Sequence, residues 1–105
     1  DIIQVARENG LVILADEVYD KILYDGIKHT SMAALSHDVL TLTFNSLSKA
    51  YRACGYRAGW MVISGDKSNA KDFIEGLNML ANMKLCRLKM TVNSLKSSLK
   101  QRTLC

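Results

Sequence analysis

The spacing of apolar residues changes several times along the chain, and each change marks an element. Ile2, Ile3, Val5 and Ala6 fall on one helical face, and Asn9-Gly10 is a helix stop. Leu11 to Ala15 is then a continuous apolar run closed by Asp16-Glu17, the pattern of a strand buried on both faces of a parallel sheet. Val39 to Phe44 is rich in β-formers and predicts a second strand; Arg57 to Ile63 predicts a third. Only a short loop separates those two, whereas a parallel crossover needs a dozen or more residues and usually a helix, so the third strand is expected antiparallel to the second. Ala70, Phe73, Ile74, Leu77, Leu80 and Ala81 form the stripe of a helix running towards Leu85, with Ser64-Gly65-Asp66 as its preceding turn and N-cap. Between the first two strands, Asp16 to Asp25 reads as a short helix or an irregular crossing. Gly26 to His37 reads as a surface loop with a short turn near Met32 to Leu35. The order is that of an α/β protein.

The last residues break this pattern. Leu88, Val92, Leu95 and Leu99 keep a heptad-like spacing among lysines and serines, as in a basic amphipathic helix or a solvated, disordered end. Charge separates the same segment: residues 1 to 86 hold nine Lys/Arg against ten Asp/Glu, whereas residues 87 to 105 hold five bases and no acid. The net charge of +4 therefore belongs to the tail. The folded part offers no basic face with stacking aromatics, so no nucleic-acid partner is expected. No apolar run reaches the roughly 20 residues of a membrane span, and no membrane partner is expected either.

At 105 residues the chain makes one domain at most. It opens on Asp1 without an initiator methionine, which suggests a missing or removed N-terminus. Cys54, Cys86 and Cys105 are too far apart for a zinc site or a disulfide scaffold, which suits a reducing compartment, the cytoplasm; no metal site is expected.

Chemistry gathers at two strand ends. The first is Asp16-Glu17-Val18-Tyr19. The second is Ser46-Leu47-Ser48-Lys49, with Arg57 eight residues beyond the lysine. Hydroxyls, backbone NH groups and an arginine are what a phosphate monoester needs, and a lysine beside them can form a Schiff base with an aldehyde. Open α/β sheets bind ligands at such strand ends. Read singly, the bland alternatives are a helix-capping aspartate, a core tyrosine and an ordinary Ser-x-Ser-Lys turn. An apolar run followed by Asp-Glu also matches the acidic motif of P-loop nucleotidases, yet these residues contain no G-x-x-x-x-G-K-[ST]. His29 and His37 have no ligand partners at useful spacing and read as solvated loop residues.

Taken together, Ala15-Asp16-Glu17-Val18-Tyr19, Ser46-Leu47-Ser48-Lys49 and Arg57-Ala58-Gly59-Trp60 resemble the class I (fold-type I) pyridoxal-phosphate-dependent aminotransferases. Asp20 to Tyr24, Tyr51-Arg52 and Ile74-Glu75-Gly76-Leu77 look most like the bacterial glutamate–pyruvate (alanine) members. The resemblance implies a piece of the family's large domain over residues 1–86, with a mostly parallel sheet whose last strand is antiparallel. It makes Lys49 the lysine that carries pyridoxal 5'-phosphate and moves the substrate's proton. Asp16 would pair with the pyridine nitrogen, Tyr19 would hydrogen-bond the phenolic oxygen, and Ser46, Ser48 and Arg57 would hold the phosphate.

The substrates implied are an amino acid, alanine or glutamate, and a 2-oxo acid, and the full-length family works as a homodimer. The family's glycine-rich N-terminal loop, an asparagine and a C-terminal arginine have no counterparts here, so this chain alone is expected to be inactive. Residues 87–105 depart from the family and read as an out-of-frame or disordered end. Other activities on the same scaffold, a lyase or an aminotransferase-like regulator, use the same cofactor residues. A non-catalytic remnant or binding module is the alternative from a different class.

Overall fold

The computed structural model describes residues 1–83 and the backbone of a strand at 92–94. The elements are α1 (Ile2–Glu8), β1 (Ile13–Asp16), α2 (Met32–Leu35), β2 (Thr41–Ser46), α3 (Leu47–Ala50), a 3-10 turn at Cys54–Tyr56, β3 (Gly59–Ser64), α4 (Lys71–Met83) and β4 (Val92–Ser94). The sheet order is β1-β2-β3-β4. β1 runs parallel to β2, β2 antiparallel to β3, and β3 parallel to β4. The α/β class and the antiparallel third strand are as the sequence predicts, although the connection between β2 and β3 is twelve residues long and holds α3 and the 3-10 turn, not the short loop expected. Apart from 92–94, the tail readings lie outside the described residues.

Helix α1 ends as Asn9-Gly10 foretells. Gly10 takes φ 61°, and the Gly10 and Leu11 amides donate to the carbonyls of Arg7 and Ala6. This is the double closure of a left-handed helix cap, and a residue with a Cβ would be strained there. The cap turns Leu11 and Val12 out of the expected strand, which begins at Ile13.

Register decides which helix covers which face. Ile13 lies opposite Thr41, and Ile13 packs with Ala6 of α1 and with Val39. Leu42 lies opposite Ile63 and Phe44 opposite Met61; these four meet Ile74 and Leu77 of α4 on the other face. The sheet is thus sandwiched between α1 and α4, a three-layer arrangement.

Leu14, opposite Leu42, shares the α4 face but lies one strand further out and is 68% exposed. The expectation that β1 is buried on both faces is therefore corrected: among the described residues it is an edge strand, and α4 does not reach it. The stripe on α4 is narrower than its spacing suggests for the same reason. Ala70 and Ala81 are buried, whereas Phe73 and Leu80 remain exposed.

Two loops are pinned by short polar contacts. Asp38 accepts from the Arg7 guanidinium, with Arg7 Nη2 at 3.0 Å from Oδ1, and from the Ser36 hydroxyl at 2.9 Å. These donors hold the Asp38 carboxyl well below the usual carboxylate range, Arg7 contributing most. Asp66 accepts from the amide and hydroxyl of Ser68, both at 2.9 Å, which also lowers its pKa. Asp66 therefore closes the turn ahead of α4 and does not cap the helix, which starts five residues later at Lys71. Gly65 has φ +81°, and a Cβ there would stand 2.0 Å from the Val39 carbonyl oxygen, so only glycine fits this crossing.

Candidate active site

The parallel pairing of β1 with β2 places their C-terminal ends side by side, Asp16 opposite Phe44. The antiparallel β3 starts where β2 ends, with Gly59 opposite Ser46. Asp16, Ser46, Ser48, Lys49 and Arg57 consequently all lie at or just beyond one end of the sheet, where open α/β sheets carry their ligands.

On the β1 side, the Glu17 amide extends the ladder by donating to the Phe44 carbonyl at 2.9 Å. Asp16 Oδ1 accepts from the Val18 amide at 3.3 Å, an Asx turn that swings the chain off the strand. Turns then follow from Asp20 back to Glu17 and from Ile22 back to Tyr19. Tyr19 is delivered on this turn, half-exposed, with its ring centroid 5.8 Å from Lys49 Nζ. That is within cation–π reach. The segment is a series of turns, the irregular crossing of the two sequence readings.

On the β2 side, Ser46 caps α3, its hydroxyl oxygen accepting from the Ser48 amide at 3.3 Å. The Leu47 amide donates to the Ala58 carbonyl and the Ala53 amide to the Leu47 carbonyl, both at 3.1 Å, which folds 47–58 into a compact loop. Gly59 permits the strands to meet at this end, since a Cβ there would lie 2.8 Å from the Asn45 carbonyl oxygen.

Arg57 lies outside the strand that the sequence assigned to it. It takes φ 50°, a left-handed conformation uncommon for a non-glycine residue, to turn the chain from the 3-10 segment into β3. Its Nη1 donates to the Cys54 carbonyl at 3.1 Å, which leaves most of its five NH donors for another acceptor.

Of the six candidates, the structure puts Tyr19 against Lys49 and joins Ser46 to Ser48, while Asp16 and Arg57 flank them on the neighbouring strand ends. Sequence reasoning missed Glu17. Its carboxylate accepts from the Met32 amide at 2.7 Å and the Ser31 hydroxyl at 3.1 Å, and faces His29 Nε2 at 3.1 Å. Those partners are 12 to 15 residues away, so no local signal announced them. His29, expected to be solvated, is instead engaged because the 26–31 loop folds back across the end of β1. The carboxylate so occupied ties the 26–31 loop to the end of β1. Among the described residues, no group of three or more His, Cys, Asp or Glu is arranged to hold a metal ion, and no helix is long and apolar enough to cross a membrane.

The mixed α/β sheet thus gathers an amine, a phenol, a carboxylate, hydroxyls and a guanidinium at one end. The model of the aminotransferase class I and II family matches residues 1–103, and the chain belongs to that family. It is 60% identical over 86 residues to the glutamate-pyruvate aminotransferase AlaA of Haemophilus influenzae, covering 82% of this chain and 21% of the relative. It is also 60% identical over 84 residues to the alanine aminotransferase of Mycobacterium bovis, covering 80% of this chain and 20% of that one. An aminotransferase from Escherichia coli superposes with a TM-score of 0.77 at 56% identity, over 85% of this chain and 22% of that structure. The alanine aminotransferase of Pyrococcus furiosus superposes with a TM-score of 0.74 at 33% identity, over 84% of this chain and 22% of that structure. The chain thus spans about a fifth of the length of the curated relatives it matches.

Proposed function

We propose that residues 1–86 are part of the cofactor-binding domain of a pyridoxal 5'-phosphate-dependent transaminase. The complete enzyme exchanges an amino group between an amino acid, alanine or glutamate, and a 2-oxo acid. The observation that carries this reading is the Lys49 amine standing over the Tyr19 ring at the sheet end that also bears Asp16, Ser46, Ser48 and Arg57. The names of the relatives suggest the substrates, and membership of the family is the ground for proposing a homodimer as the working form. The cytoplasm is the proposed compartment, for which the free, exposed Cys54 thiol speaks.

The donor set suits the cofactor. Two serine hydroxyls and a guanidinium with spare NH groups match a phosphate dianion. Asp16 would accept from a protonated ring nitrogen, and Tyr19 would donate to a phenolic oxygen. When bound, the cofactor supplies an electron-withdrawing ring for the electron pair left when the substrate's Cα–H bond breaks. Lys49 Nζ would take the proton from that α-carbon and hand it to the cofactor carbon that bore the aldehyde, so that the amino group stays behind when the 2-oxo acid leaves. Asp16 would keep a positive charge on the ring nitrogen by its own negative charge, and Ser46, Ser48 and Arg57 would fix the phosphate so that the amine and the α-carbon stay in reach.

The test is addition of pyridoxal phosphate to the purified chain, a visible absorption spectrum, borohydride reduction and peptide mass analysis. The label is expected on Lys49 and is expected to vanish in Lys49→Ala. Labelling spread over exposed lysines with no preference for Lys49 would falsify the assignment.

A further inference from the structure

We infer that Glu17 is a positioning residue for the Tyr19–Lys49 pair, acting as the clasp that fixes the turn on which Tyr19 is carried. The observations are the uneven burial and the crowding of contacts on this one residue. The Glu17 side chain is only 11% exposed, between an Asp16 and a Tyr19 that both lie open to solvent. Its main chain is tied at both ends, the amide to the Phe44 carbonyl and the carbonyl to the Asp20 amide at 3.1 Å. Its carboxylate gathers the Met32 amide, the Ser31 hydroxyl and His29 Nε2, so that one side chain joins the end of β1 to the start of α2.

Tyr19 sits between these ties with no side-chain hydrogen bond of its own among the described residues, so its ring direction is inherited from the backbone of the 17–22 turn. That backbone leaves β1 at Glu17. Released from α2, the turn keeps its local bonds but loses its fixed angle to the sheet, and the ring leaves the Lys49 amine. Glutamate meets this need better than a shorter acid, because it must reach an amide 15 residues on while its own backbone stays in the ladder. The inference rests on the proposed function only in treating Tyr19 and Lys49 as the site; the geometry itself needs no cofactor.

The experiment is accordingly cofactor-free. The full chain is exposed to a limiting amine-acylating reagent, and the labelling of Lys49 is read by mass spectrometry against that of exposed Lys71 on α4. The Tyr19 ring lies over the Lys49 amine and shields it from reagent, so Tyr19→Ala is expected to raise the Lys49-to-Lys71 ratio by about 2- to 5-fold. Glu17→Ala is expected to raise it equally. Glu17→Gln, whose amide oxygen can still accept from Met32 and Ser31, is expected to restore the original ratio. A Glu17→Ala ratio that stays at the starting value overturns the inference, and so does an unchanged ratio in Tyr19→Ala, since no ring effect then exists to transmit. If Glu17→Ala unfolds the chain, both lysines label faster together. The His29→Ala, Ser31→Ala double variant then decides, because it strips two of the three contacts and leaves Glu17 in place: a selective rise at Lys49 upholds the clasp and no rise overturns it. Failure of the functional reading shows separately, as absence of pyridoxal phosphate on Lys49 with the acylation pattern intact.

Discussion

The two halves of the site stand on unequal ground. Ser46, Ser48, Lys49 and Arg57 are attached to the β2–β3 ladder, where Leu42, Met61 and Ile63 are no more than 3% exposed. Asp16 and Tyr19 leave from β1, a four-residue edge strand in which Ile13 alone is buried and Leu14 is 68% exposed. Packing can hold the first half directly. The second half has little packing to draw on and is held instead by hydrogen bonds, those of the β1–β2 ladder and those converging on Glu17. A shared sheet end therefore does not mean a shared source of rigidity.

The contrast can be broken most severely in the core. Met61→Ala is expected to cost about 3 kcal/mol in chemical unfolding, since it empties a fully enclosed position. A loss under about 1 kcal/mol would show that the ladder is not packed as described. Gly59→Ala comes next, at about 2 kcal/mol, because the new methyl group meets the Asn45 carbonyl and overcrowds the strand end. Amide chemical shifts should place that disturbance at Asn45 and Ser46 and leave Leu14 and Ala15 untouched.

Acid sharpens the comparison from the β1 side. Asp38 ties α1 to the loop before β2, and its carboxyl titrates lower in the folded chain than in the unfolded one. The unfolded state thus takes up the proton first. The stability this group contributes is complete above the ordinary aspartate value of about 3.9 and is lost as pH falls through the lower folded value. Asp38→Asn should flatten the acid limb of a stability–pH curve; an unaltered limb would mean the pair contributes nothing in solution. The smallest effect belongs to Leu14→Ala, expected within about 0.5 kcal/mol of the parent because the side chain is already in water. A large loss there would reveal cover on β1 that the described residues do not provide.

Much of this was legible in the sequence because it depends on near neighbours. The cap at Gly10 and the turn at Ser64-Gly65-Asp66 follow from residues within a few positions of one another, although what Gly65 crosses, the Val39 carbonyl, lies far back in the chain. The strand-end placement of Asp16 and Lys49 was legible too, since an apolar run followed by polar residues locates a strand's end. The rest was hidden by distance along the chain. Whether Leu14 is covered depends on how far α4 reaches across the sheet, and what Glu17 holds depends on a loop returning 15 residues later. The left-handed turn at Arg57 escaped notice because arginine rarely takes that conformation, and an apolar run does not record where its first residue bends.

The loop lengths in the sheet carry a consequence for how the site comes together. Twelve residues separate β2 from β3, and twenty-four separate β1 from β2. Doubling a loop raises its closure cost by about 0.6 kcal/mol of chain entropy. The lysine and arginine are thus brought to one place by the less costly closure, whereas the aspartate and tyrosine arrive through the longer one, which leads to the less buried strand. In entropic terms, the acid side of the site is the more expensive to assemble.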